Sequence, residues 1–225
     1  MHDPRTAAAR SDRTRSGTPP PGGPGDHPDP EGIRAHCAEV FDLDARLPDP
    51  VFRRDAGDSL FVDFDSLLTP ELWPALSALA RSHGDRYVEL LVLSPDDDRC
   101  SFVPLALPVE ADEDDYWEAV GFDEGDDAGD AITIMANVVA LTGPSRKWGC
   151  WGERDPEVAV FQGFPDRAAR DAWRAEFGPF REVEQALDTY LSLVFRGSVP
   201  EPYAAALTSH YRVEGPGALP DPTHN

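Results

Sequence analysis

Apolar residues recur along this chain with two periods, and the change from one to the other marks its elements. Residues 33–46 place Ile33, Cys37, Val40 and Phe41 on one face of a short helix that Pro48 and Pro50 end. In residues 59–65, Leu60, Val62 and Phe64 alternate with Phe61, Asp63 and Asp65, the pattern of a strand with one buried face. Thr69-Pro70-Glu71 opens a helix that runs to His83 and stops at Gly84, with Leu72, Leu76, Leu79 and Ala80 as its stripe. Pro74 removes a backbone donor near its start. Residues 86–93 and 100–109 flank the turn-forming Pro95-Asp96-Asp97-Asp98 and predict a hairpin, whose second arm belongs at a sheet edge because it carries Pro104 and Pro108.

Residues 131–141 fit helix or strand; Asp130 as a cap and Gly143-Pro144 as a stop favour helix. A second hairpin is predicted over residues 148–163, turning at Arg154-Asp155-Pro156-Glu157. Three helices follow: 165–177 with Trp173 and Phe177 one turn apart, 181–196 with a clean stripe from Val183 to Val194, and 201–212. Strand pairs followed by a run of helices predict an α+β fold, a mainly antiparallel sheet built from hairpins with helices packed on one face and helices at the C-terminus.

Composition sets the domain limits. Residues 1–32 carry seven prolines and few large apolar side chains, so they are expected to form a disordered tail. Residues 213–225 read the same way, leaving 33–212 as one domain. The net charge is −22, and 37 acids face 16 bases from residue 33 onward. Such a balance lacks the positive footprint that nucleic acids and anionic membranes require. The N-terminal stretch lacks the apolar core of a signal peptide, and the cytoplasm is the expected compartment. Lys147 is the single lysine among 20 basic residues, a bias of high-GC coding that points to a bacterial source.

The candidate chemistry is sparse. Cys37, Cys100 and Cys150 are widely spaced and match neither a disulfide framework nor a zinc site. His36 adjoins Cys37, but neighbours on a helix point apart. There is no nucleophile elbow, phosphate-binding glycine loop or calcium-loop spacing, so no cofactor and no metal is expected. Glu153, near Trp151, is the one acid whose setting suggests a raised pKa; an ion pair with Arg146 or Arg154 is the ordinary alternative. Trp148 and Trp151, each followed by glycine, face opposite sides of a strand, as two core residues or as one core residue and one exposed anchor. Arg167, Arg170 and Arg174 form a basic stripe that nearby acids can neutralise.

Residues 110–130 hold eleven acids and no base, with Tyr116, Trp117 and Val120 spaced to form one docked helical turn. The expectation is therefore a non-enzymatic, acidic protein-binding domain, in its most concrete form an immunity or antitoxin-type inhibitor of a basic partner. Its candidate contact residues are Trp148, Trp151, Glu153, Arg154, Asp112, Glu113, Asp114 and Asp115. The alternative is an enzyme with a cleft near the Trp148–Asp155 hairpin.

Overall fold

Three runs, YVELLVL, VVALT and VAVFQ, are apolar at nearly every position rather than at every second one. That is the composition of strands covered on both faces. In the computed structural model, which describes residues 28–54, 57–93, 102–121 and 131–212, they form the middle of a six-stranded sheet. The strands are β1 (Leu60–Asp63), β2 (Tyr87–Leu93), β3 (Leu105–Pro108), β4 (Val138–Thr142), β5 (Gly149–Glu153) and β6 (Val158–Gln162). Their order across the sheet is β1-β6-β5-β4-β2-β3, and all neighbours are antiparallel. Both expected hairpins form, with Tyr87 opposite Pro108 in the first and Gly149 opposite Gln162 in the second. The proline-bearing β3 lies at an edge, where a missing donor disrupts no ladder. The opposite edge, β1, is partly closed by Arg181, whose N–H and C=O exchange hydrogen bonds with Phe61.

The α+β class and the antiparallel sheet are as expected, and helices do gather at the C-terminus. Coverage differs from the expectation, because helices lie on both faces. One face packs against α2 (Phe64–Leu67), α3 (Trp73–Ser82), α4 (Glu113–Gly121) and α6 (Arg167–Phe177). The other packs against α1 (Pro30–Val40), α7 (Val183–Asp188), α8 (Tyr190–Val194) and α9 (Glu201–Tyr211). The first core holds Val88, Leu90, Leu141 and Phe161, and the second holds Leu91, Ala140, Val158 and Val160. Successive strand residues thus feed opposite cores, which leaves no solvent face for an alternating polar pattern to mark.

Local chemistry sets the helix ends. Helix α1 opens at Pro30 with Asp29 accepting from Gly32 N, so ordered helix begins inside the stretch expected as a tail. The rest of that stretch, 1–27, and the C-terminal 213–225 lie outside the described residues, as do the first hairpin's Pro95–Asp98 turn and Cys100. Pro74 falls in the first turn of α3, where a backbone N–H would have no helical partner and its absence costs no bond. A separate 3-10 turn over Pro70–Leu72 precedes it.

Two expected helices are altered. Residues 131–141 split into a one-turn helix, α5 (Ile132–Met135), and the central strand β4. Val138–Leu141 pair with β2 on one side and β5 on the other, and this tertiary pairing outweighs the local helix signals. The helix expected over 181–196 breaks at Thr189, whose backbone leaves the helical region. Its hydroxyl donates to the Gln185 carbonyl, competing with the helical bond there.

Candidate functional site

The tryptophan-glycine segment is a packing device. Trp148 and Trp151 project to opposite faces, and with helices on both sides each is buried, at 1% and 0% exposure. Trp151 packs on Phe41 with ring centroids 5.4 Å apart. Each following glycine makes room on the face opposite its indole. A Cβ on Gly149 would lie 2.5 Å from Phe41 Cζ, and one on Gly152 2.6 Å from Leu67 Cδ2. One β-strand therefore offers a large and a vacant position to each core, so that α1 and α2 settle close against it. Neither indole is available to a partner, which settles the alternative left open by the sequence in favour of core.

Glu153 and Arg154 are also engaged within the chain. Glu153 is buried, and its Oε1 accepts from Trp151 Nε1 at 2.7 Å and from Leu47 N at 2.8 Å. Burial pushes its pKa up, opposed by those two bonds and by Arg46. The ion pairs expected for Glu153 do not form: Arg146 pairs with Glu39 at 3.0 Å. Arg154 donates to the carbonyls of Ala136 and Thr133, at 2.9 and 2.7 Å, and stacks over Phe64. It fastens the β5–β6 turn to α5.

Other titratable groups in the core are similarly committed. Glu89, buried on β2, takes His36 Nδ1 at 2.9 and 3.0 Å, and burial raises its pKa against that bond. His36 is thus turned away from Cys37. Burial pushes the thiols of Cys37 and Cys150 up, so both stay protonated small hydrophobes rather than nucleophiles. The arginine stripe is neutralised by nearby acids, as expected. Arg170 is buried and bonds Asp171 and Glu182 at 2.8 and 3.1 Å, Arg174 reaches Glu182 and Phe180 O, and Arg167 pairs with Asp58.

The acidic segment is where side chains and open space coincide. Tyr116 and Val120 dock α4, with Tyr116 stacked on Trp73 at 5.2 Å and its hydroxyl donating to Leu67 O. Tyr116 and Val120 thus dock as expected, but Trp117, expected with them, points away and is 38% exposed. Asp112 and Asp115 cap the helix reciprocally, Asp115 N donating to Asp112 Oδ1 and Asp112 N to Asp115 Oδ2. Glu113, Asp114 and the exposed oxygens of Asp112 border a groove of about 610 Å³ between α3, α4 and the end of α6. Its floor includes Trp73, Ala78 and Phe177, and Glu176 adds a fourth carboxylate. Among the described residues the lining holds one cation, Arg81, whose guanidinium donates to Ser77 Oγ and Val109 O. The rest of the acidic run, 122–130, lies outside the described residues.

Of the expected contact residues, the structure gathers Asp112, Glu113 and Asp114 at this groove; Asp115 is turned to the helix cap, and Trp148, Trp151, Glu153 and Arg154 belong to the core and its turns. Trp73, Glu176 and Phe177 join the groove from helices distant in the chain, and no periodicity could have linked them. Among the described residues, no group of three or more His, Cys, Asp or Glu side chains is placed to hold a metal ion, and no helix is long and apolar enough to cross a membrane. Comparison with family models, curated proteins and solved structures gives no match.

Proposed function

We propose that this is a non-enzymatic protein-binding domain whose acid-walled groove receives a basic segment of a partner protein. The observation that carries the reading is the groove's composition: four carboxylates against one arginine, above an aromatic floor. Lysine and arginine side chains have an apolar stem and a charged head, and this lining offers a surface for each. The chain's charge of −22 adds a long-range field that speeds encounter with a cation. The concrete form we favour is an immunity or antitoxin-type inhibitor that masks a basic surface, acting in the cytoplasm of a bacterium.

Titration of a lysine- and arginine-rich peptide by calorimetry tests the reading. Removing the groove charges in Glu113→Gln/Asp114→Asn/Glu176→Gln is expected to weaken binding about tenfold or more at low salt. A control of equal charge change on remote exposed positions, Glu31→Gln/Asp44→Asn/Asp188→Asn, is expected to lose far less. Equal losses in the two triple variants would reduce the attraction to net charge and overturn the groove.

A further inference from the structure

A second cavity, of about 360 Å³, opens beside the β4–β5 turn and has the opposite electrostatic character. Among the described residues, three of the chain's 20 basic residues, Arg54, Arg146 and Lys147, line it, against the single carboxylate of Glu39. Glu39 pairs with Arg146 at 3.0 Å. Arg54 and Lys147 form no ion pair among the described residues, although 42 acids are distributed over this chain. An excess of two positive charges at one concavity of so acidic a molecule calls for a counter-charge.

The loop that presents Arg146 and Lys147 is anchored by side-chain hydrogen bonds to Asp85. Asp85, buried, accepts from Ser145 N at 2.6 Å, Ser145 Oγ at 2.7 Å and Trp148 Nε1 at 2.8 Å. Arg146 itself lies at φ 56°, a left-handed conformation that a non-glycine side chain adopts only where its surroundings enforce it.

An independent feature lies in the wall of the same cavity. Gln162 is 4% exposed, its Nε2 donates to Ser59 Oγ at 2.8 Å, and its Oε1 is buried with no hydrogen-bond partner among the described residues. A buried amide oxygen left without a donor is costly, and such groups are rare in folded proteins. Cations plus an unused acceptor define a ligand with two properties, negative charge and a hydrogen to donate. We propose that this cavity binds a phosphate group in its protonated-oxygen form, its charge held by Arg54, Arg146 and Lys147 and its O–H directed to Gln162.

Phosphate and sulfate separate these two properties, because sulfate at neutral pH carries charge but no hydrogen. Thermal shift and calorimetry with inorganic phosphate, sulfate and O-phosphoserine, at ionic strength matched with sodium chloride, are the test. Phosphate is expected to bind saturably and at least about fivefold more tightly than sulfate. Arg54→Gln/Lys147→Gln, both at exposed positions, is expected to weaken it about tenfold while circular dichroism stays unchanged. Gln162→Met is expected to abolish the preference for phosphate over sulfate; the wild-type comparison stands alone if that variant does not fold. Tighter binding of O-phosphoserine than of phosphate assigns a monoester, and equal or weaker binding assigns the free ion. A response that only follows ionic strength, or one the double variant leaves intact, overturns the proposal. Charge removal in the acidic groove should not weaken phosphate binding, so the two sites fail or succeed separately.

Discussion

Replacing Trp148 and Trp151 one at a time by alanine gives the most direct test of a sheet sandwiched between two cores. A half-exposed hairpin would have one costly position and one cheap one. Here both indoles are buried, on opposite faces, and each N–H donates to a buried carboxylate. Truncating a buried tryptophan costs about 3–5 kcal/mol in lost burial and residual cavity. Trp151→Ala also removes one of the two donors to Glu153 Oε1, a further ~1–3 kcal/mol for a buried polar group left short of partners. Asp85 keeps both Ser145 donors when Trp148 is removed, so that second contribution should be smaller there. The expected order is Trp151→Ala slightly worse than Trp148→Ala, with neither below about 3 kcal/mol.

Urea unfolding followed by far-ultraviolet circular dichroism is the assay, since the substitutions remove fluorescence signal, and midpoint shifts at constant slope report stability. Total stabilities of domains are about 5–15 kcal/mol, so the phenylalanine variants serve if an alanine variant does not fold. A loss under about 1 kcal/mol at either position would mean that its indole faces solvent, and the two-core arrangement would be wrong.

Three further outcomes follow from the packing and the charges. Gly152→Ala should cost about 1–3 kcal/mol through overpacking against Leu67 and Phe64, measurable in the same unfolding experiment, and a neutral result would contradict the close approach of α2. Burial raises the Glu153 pKa in the folded state, so its contribution to stability is present below about pH 4.3, the ordinary glutamate value, and is lost as pH rises through the raised one. Glu153→Gln should therefore flatten the fall in stability over that interval, and parallel wild-type and variant curves would refute the assignment. Arg170→Ala should cost about 1–3 kcal/mol through the lost packing and hydrogen bonds of a buried guanidinium, whereas Arg167→Gln, on the exposed rim, should leave the melting temperature near that of the wild type.

The sequence by itself determined the elements whose signals are local. Alternation, turn residues and proline positions predict both hairpins and the edge location of β3, and the apolar stripe of α3 and Trp173 of α6 are buried as their spacing implies, while Phe177 is half-buried. The same local logic predicts that Tyr116 and Val120 dock a helix made otherwise of acids. Tertiary structure decided the rest, because the relevant partners are far apart in the chain. Residues 138–142 are a strand because β2 and β5 flank them, and both tryptophans are core because α1 brings Phe41 to one face while α3 and its neighbours cover the other. Glu153 meets Leu47, and Asp85 meets Ser145 and Trp148, across separations that no periodicity records. The acidic run is visible in composition, but the groove beside it exists only where Trp73, Phe177 and Glu176 arrive from other helices. Periodicity reports which side of an element is buried; only the packed chain decides what lies against it.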